Sequence, residues 1–361
     1  MFKRIMPFAG AVVVSGILLV GCNQGGNQSA DTSGGTTNAA NTTSDATGGS
    51  SGEKPRVAYV TNGDASFWDI AAAGAKAAGE KLSADVTIHK PGNITDQKRI
   101  VEDLMTRGAD GIAISPIDPA NQTSLINEAA AATKVITHDS DAPKSKRLCY
   151  IGMDNYIAGR MCGKLVKEAL PKGGKLAIFI GRLEQDNARR RRQGVIDELL
   201  DRSSDPTRYD APGSVIKNAK YNIVGTYTDQ FDRAKAKANA EDVLSRHPDL
   251  AGMVGLFAYN PPACLQALKG AGKTGKIKLI AFDEADETLQ AIKEGICHGT
   301  VVQNPYMYGF ESVRILTALA KDDQSVLPKG GFLDIPARQI RKGDVDKFWA
   351  DLKEKMGTKA K

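Results

Sequence analysis

The sequence predicts an α/β protein of two doubly wound, parallel-sheet lobes. Three observations carry this reading. From Arg56 onward, short apolar runs alternate with amphipathic, helix-forming stretches. The runs are apolar throughout, as strands covered on both faces are, rather than apolar at every second position. The whole series then occurs a second time in the second half of the chain, which calls for two sheets rather than one.

Each element follows in order. RVAYVT (56–61) is a strand, followed by an alanine-rich helix from about Ser66 with Ile70, Ala73 and Ala77 turned inward. Val86 and Ile88 alternate in a second strand. Thr95 is the expected cap of a helix whose Ile100, Val101, Leu104 and Met105 form one stripe. GIAIS (111–115) is a third strand, its helix begins near Pro119, and KVITH (134–138) is a fourth. KLAIFIG (175–181), YNIVGTY (221–227), AGMVGLF (251–257) and KIKLIAF (276–282) repeat the pattern between helical stretches.

The N-terminal stretch has a different character. MFKRIMPFAGAVVVSGILLVGC opens on Lys3 and Arg4, continues into an apolar run and ends at Leu19-Val20-Gly21-Cys22. This is the architecture of a signal peptide over residues 1–21, too short for a comfortable bilayer span. Its end resembles the bacterial lipobox, in which Cys22 is lipidated and becomes the new N-terminus. Residues 22–53 continue as NQGGNQSADTSGGTTNAANTTSDATGGSSGE after Cys22, with no aromatic and no large aliphatic side chain. Such a segment cannot bury enough apolar surface to offset its conformational entropy and reads as a disordered tether. The expected location is extracytoplasmic, with the body lipid-anchored on the periplasmic side of a bacterial membrane.

The formal charge of +6 falls to +4 without Lys3 and Arg4, too little for a nucleic-acid partner. Besides Cys22 there are Cys149, Cys162, Cys264 and Cys297, with no CxxC and no metal-ligand spacing. Free thiols and disulfides both remain open. His89, His138, His247 and His298 are scattered. GGSSG (48–52) lies in the tether, without the strand a nucleophile elbow needs. GAGKTG (270–275) has Ala267 where a phosphate loop needs its first glycine. No catalytic centre, metal site or cofactor site emerges, and the protein is expected not to be an enzyme.

Ligands of doubly wound sheets bind beyond the carboxyl ends of the strands. Here those ends are Thr61-Asn62-Gly63-Asp64, Ser115-Pro116, Asp139-Ser140-Asp141, Gly181-Arg182, Thr228-Asp229, Tyr259-Asn260 and Asp283-Glu284. Phe67, Trp68, Tyr259 and Phe231 lie nearby. Carboxylates and amides suit paired hydroxyls, and aromatic faces suit the C–H face of a sugar ring. The run NARRRRQG (187–194) adds one more group. Ala188, Val195 and Leu199 share a helical stripe that includes Arg191, so Arg191 points inward and needs acceptors such as a polyol, Asp139 or Asp283. The other three arginines read as a solvated face.

With these residues in place, the body resembles the periplasmic sugar-binding proteins of the ribose/galactose type, with the type I periplasmic binding protein fold. The resemblance covers most of 55–340. It is carried in order by ASFWDIAAAGAKAAGEKLSADV, DLMTRGADGIAISPID, KVITHDSDAP, YIGMDNYIAGRMCG, ARRRRQG, FDRAKAKANAEDVLSRHPDLAGM and LIAFDEADETLQAIKEGICHGTVVQNPYMYG. It implies ligand contacts from Thr61 or Asn62, Phe67, Trp68, Asp139, Arg191, Phe231, Asn260, Asp283 and Gln303. Where the family often has an arginine after its first aspartate, this chain has Ser140 followed by Asp141, a departure that bears against ribose itself. Ala65 stands where relatives often carry asparagine.

The resemblance also implies a hinge of three crossings, near Asp154, Asn304 and residue 332. The N-terminal lobe would be 54–153 plus 304–332, and the C-terminal lobe 154–303 plus 333–361. The implied function is that of a monomeric substrate-binding lipoprotein that hands a monosaccharide to the permease subunits of an ABC importer. The alternative is a sugar or small-molecule sensor input for a chemoreceptor or histidine kinase. The same fold serves DNA-binding repressors, but those need a helix-turn-helix before the first strand, where this chain has a lipobox and tether. Glycoside hydrolysis needs two carboxylates at fixed separation, and Asp139 and Asp283 are already explained as hydroxyl acceptors.

Overall fold

A computed structural model describes residues 53–357. The expected signal peptide, the lipidation at Cys22 and the tether before Glu53 lie outside the described residues. No helix among the described residues is long and apolar enough to cross a membrane.

The first half runs β1 (Arg56–Val60), α1 (Ser66–Leu82), β2 (Asp85–His89), α2 (Ile94–Thr106), β3 (Gly111–Ile114), α3 (Pro119–Ala132), β4 (Lys134–His138) and β5 (Tyr150–Gly152). The second begins with α4 (Asn155–Ala169), β6 (Gly174–Ile180), α5 (Asp186–Leu199), β7 (Ile216–Lys217), β8 (Tyr221–Thr228) and α6 (Arg233–Arg246). It continues with β9 (Leu250–Gly255), α7 (Asn260–Gly270), β10 (Lys278–Phe282), α8 (Asp286–Lys293) and β11 (Cys297–Val302). The chain closes with α9 (Pro305–Leu319), β12 (Phe332–Asp334), β13 (Arg338–Arg341) and α10 (Val345–Lys355).

Two sheets result, ordered β12-β5-β4-β3-β1-β2 and β13-β11-β10-β9-β6-β8-β7. All pairs are parallel except the two at the edges of the second sheet, β7 with β8 and β11 with β13. In the first sheet β1 lies between β2 and β3, and in the second β6 lies between β8 and β9. The chain order therefore reverses at β1/β3 in one and at β6/β9 in the other, the place where doubly wound sheets open a binding crevice.

The central strands β1, β3, β6, β9 and β10 are largely apolar because both of their faces are buried. In β1, Val57 and Tyr59 pack under α1 and α9 with Ala71, Ala75 and Leu316, while Ala58 and Val60 pack on the other face with Val101, Leu104 and Ile126. In β6, Leu176, Ile178 and Ile180 face one core, and Ala177 and Phe179 the other. Side chains alternate between faces, so a strand covered on both sides has no place for polar residues.

The backbone passes between the sheets three times, after β5, after β11 and after β12. The last passage starts beyond Asp334, which pairs with Gly152, so β12 carries the first sheet two residues past the expected boundary at 332.

Several local expectations are corrected. Asn93, not Thr95, caps α2, its side chain accepting from the Asp96 N–H. The inward stripe of α1 is Ala71, Ala75 and Ala78 rather than Ala73 and Ala77, because the helix turns its small residues to α9. At that crossing Gly74 lies against the Tyr306 backbone and Gly309 against Ala71. A second pair, Gly159 and Gly194, lets α4 and α5 touch in the same way. Strands β5, β7, β11, β12 and β13 were not expected. Four of them span only two to four residues, and in β11 the pair His298-Gly299 after Cys297 interrupts any continuous apolar run. The four body cysteines are free and buried.

Candidate ligand-binding cleft

The crevices of the two sheets open onto one another. Between them lies a cavity lined from both sheets and partly open to solvent, the concave, largely preformed setting in which small-molecule sites occur. The first sheet contributes Asn62, Gly63, Asp64, Ala65, Phe67, Trp68 and Asp139. The second contributes Gln185, Asn187, Arg191, Phe231, Phe257, Tyr259 and Asp283, and Gln303 stands at the second passage.

The two aspartates are built alike. Each is the first residue after its strand, and each has left-handed backbone, φ 57° at Asp139 and 65° at Asp283. Each donates its N–H to the neighbouring strand, Asp139 to Ile151 and Asp283 to Val301. A non-glycine residue tolerates this conformation only where its surroundings hold it there. Here it turns both carboxyls from the strand line into the cleft.

Asp139 Oδ2 accepts from Asn62 Nδ2 (3.4 Å), Ser115 Oγ (3.3 Å) and Asn187 Nδ2 (3.1 Å). The last of these donors reaches across from the other lobe. Asp283 Oδ1 accepts from Gln303 Nε2 at 2.8 Å, and Gln303 Oε1 accepts from the Tyr308 hydroxyl. Arg191 lies between the carboxyls, with 1% of its surface exposed. Nη1 donates to the Leu256 carbonyl at 2.7 Å, Nη2 donates to Asn155 Oδ1 at 3.0 Å, and Nη1 is 3.9 Å from Asp283 Oδ2. Its guanidinium also lies over the Phe282 ring at 4.0 Å.

Burial pushes the Asp139 carboxyl up to about 7; Arg191 opposes the shift and Asp283 reinforces it. Burial raises Asp283 as well, again opposed by Arg191. His138, beneath the site, is driven by burial down to about 3 and is therefore a neutral support. Its Nδ1 accepts from the Tyr59 hydroxyl and its Nε2 donates to the Val60 carbonyl. Its ring stacks on Tyr59 and meets Trp68 edge-on.

The aromatic residues form two walls. Phe67 and Trp68 are edge to face at 4.8 Å on one side. Phe231 and Phe257 stack at 5.8 Å on the other, with Tyr259 beside them. Asp229 accepts from Tyr259 and from Asn260 Nδ2 and so anchors the second wall.

Eight of the expected residues therefore line one cavity: Asn62, Phe67, Trp68, Asp139, Arg191, Phe231, Asp283 and Gln303. Four do not. Thr61 donates to the Gly63 carbonyl in its own turn. Ser140 is fully buried, its backbone folded onto His138. Asp141 is taken by Arg147, with two contacts of 2.6 Å, and by Thr137. Asn260 has its amide on Asp229 and its oxygen on the Phe257 N–H.

The solvated face of the arginine run also needs correction. Arg189 and Arg190 pair with Asp186 near the surface, but Arg192 is fully buried. It donates to Thr226 Oγ1 and to the Asp210 carbonyl, acceptors brought in from far along the chain. The sequence reading missed Gln185, Asn187 and Phe257 as cleft residues. The available signal was position: Gln185 and Asn187 flank the start of the helix after β6, and Phe257 closes the segment after β9.

A pH dependence follows. A carboxyl raised from 3.8 in the unfolded chain to about 7 in the folded protein binds more protons when folded, so its stabilising contribution is full below pH 3.8 and is lost as pH rises to about 7. Asp229, raised by burial to about 6, acts in the same sense. Denaturation of the ligand-free protein between pH 5 and 8 is expected to show stability falling with pH more steeply than in Asp139→Asn. Parallel curves for the two proteins would contradict this assignment.

A cleft between two doubly wound lobes, lined from both and floored by strand ends, defines a small-molecule binding protein. The chain belongs to the periplasmic binding protein domain family, whose model matches residues 57–324. Among curated proteins it is similar to the ribose import binding protein of Bacillus subtilis, 29% identical over 211 residues, 58% of this chain and 62% of that one. It is also similar to the ribose import binding protein of Salmonella typhimurium, 25% identical over 257 residues, 70% of this chain and 79% of that one. Among solved structures, a solute-binding protein of an ABC transporter from Burkholderia graminis in complex with D-arabinose superposes with a TM-score of 0.72 at 29% identity, covering 81% of this chain and 97% of that one. A second from Agrobacterium vitis with bound D-fucose gives 0.73 at 27%, covering 82% and 98%. These relatives are binding proteins, not enzymes, and of an extracytoplasmic class.

Proposed function

We propose that this chain is the substrate-binding lipoprotein of an ABC sugar importer, holding one monosaccharide between its lobes. The observation that carries the reading is the composition of the cleft, which combines aromatic side chains from both lobes with three carboxylates, an arginine and four amides. An aldopyranose has apolar C–H faces for the walls and a rim of hydroxyls for the polar groups. The sugars named for the relatives, ribose, D-arabinose and D-fucose, support that class.

The hydrogen bond between Asn187 and Asp139 joins residues of opposite lobes, and it belongs to a form in which the lobes have closed. Closure around a ligand that bridges both lobes shifts the population toward that form, with the three passages between the sheets as the hinge. The closed lobes would then present the sugar to permease subunits. Cys22 would carry the lipid, and the residues before the first strand would serve as the tether. Monomeric action fits one complete cleft per chain.

The test is a thermal-shift screen against D-ribose, L-arabinose, D-galactose, D-fucose, D-glucose, an inositol and a purine nucleoside, followed by calorimetry. At 100 times its Kd, a ligand stabilises the folded state by about 2.7 kcal/mol, a clear rise in Tm. One sugar is expected to give it. Binding of the nucleoside alone, or of nothing, would overturn the reading.

A further inference from the structure

Gln185 is the residue just before the first turn of α5. It lines the cleft and has no exposed surface. Neither its amide nitrogen nor its amide oxygen has a protein partner among the described residues, and its side chain does not cap the helix. The other cleft amides are engaged: Asn62 with Ser115 and Asp139, Asn187 with Asp139, Gln303 with Asp283 and Tyr308. A buried primary amide with nothing to bond is destabilising. Methionine would fill nearly the same space without that penalty, so the chemistry that favours glutamine lies on the ligand.

We propose that Gln185 is a specificity-determining residue that reads a vicinal pair of hydroxyls on the bound sugar. The inference rests on the monosaccharide reading of the cleft. The amide presents a donor and an acceptor side by side, and two adjacent hydroxyls present their complement. Asp139 and Asp283 accept hydrogen bonds and Arg191 only donates them. Gln185 does both, so it distinguishes a diol from a position bearing one hydroxyl. A site built to bond a hydroxyl rejects the analogue lacking it far more strongly than an apolar pocket rejects an added one.

The test uses the sugar panel above, extended with 2-deoxy-D-ribose, 2-deoxy-D-glucose and 2-deoxy-D-galactose, measured by calorimetry on the unmodified protein, Gln185→Met and Gln185→Glu. Gln185→Met is expected to weaken the best-bound sugar by about tenfold or more. It is also expected to shrink the unmodified protein's preference for that sugar over its deoxy or epimeric analogues. Its ligand-free Tm is expected to stay the same or rise, an outcome that a structural role would not produce. Gln185→Glu keeps the acceptor alone and is expected to fall between. Affinity within twofold of the unmodified protein, or an equal loss for all analogues with a lowered ligand-free Tm, would overturn the proposal. Failure of the unmodified protein to bind any sugar would overturn the proposed function and this role with it.

Discussion

Arg191→Ala is expected to weaken sugar binding by about a hundredfold or more and to destabilise the ligand-free protein by about 3–5 kcal/mol. The two effects have one origin. The guanidinium is packed on Phe282, bonded to the Leu256 carbonyl and to Asn155, and close to Asp283. Without it, two buried carboxyls face each other with no cation between them, and the end of β9 loses the donor that holds it to α5. Arg191→Lys is expected to recover little, since an ammonium cannot reproduce a planar fork reaching acceptors on two elements. Calorimetry and denaturation on the same samples check both effects. An unchanged Kd in a folded Arg191→Ala protein would remove this residue from the site. Arg191 is buried in the protein interior as well as lining the cleft, so loss of affinity comes with loss of stability.

Gly159→Ala is expected to destabilise by about 1–3 kcal/mol or more and to weaken binding as well. In an open helix the same change stabilises by close to 1 kcal/mol, because alanine is the better helix former. Here α4 and α5 touch along Gly159 and Gly194. A Cβ at Gly159 would land inside the contact radius of the Arg191 carbonyl oxygen and 3.0 Å from the Gly194 Cα. The obstruction is backbone and cannot rotate away, so α5 must move and take Arg191, Asn187 and Gln185 with it. Gly270→Ala is the control, since a Cβ there meets nothing within 4 Å. It is expected to be neutral or mildly stabilising. Urea denaturation should show a clear loss of stability in Gly159→Ala and none in Gly270→Ala; no loss in Gly159→Ala would show that helix packing there is looser than described.

How much was legible beforehand depended on the kind of question. Apolar continuity identified two buried parallel sheets, because a strand covered on both faces has no position left for a polar residue. Helical spacing identified Arg191 as inward from Ala188, Val195 and Leu199 alone. The same spacing failed one residue later. Arg192 lies at the border of that stripe, and its burial is decided by Thr226 and Asp210, which arrive from a strand and a loop that local periodicity does not register.

The strand ends show the same division. Asp139 and Asp141 are alike in sequence, two carboxylates after one strand, yet one faces the cleft and the other is held by Arg147. The left-handed turn at Asp139 sends its carboxyl one way, and an arginine six residues on claims its neighbour. Thr61 and Asn260 were likewise satisfied by partners at hand.

The sequence by itself determined the layer architecture, the location of the cleft at the strand ends and the direction of one arginine, since each follows from the fixed periods of strand and helix. Only the tertiary structure decided which polar groups at those ends are already paired and which, like Gln185, are not. Hydrogen-bond partners are set by proximity in space, and those of Asp139, Arg191 and Asp283 come from elements far along the chain, such as Asn62 and Asn187 for Asp139 and Leu256 for Arg191.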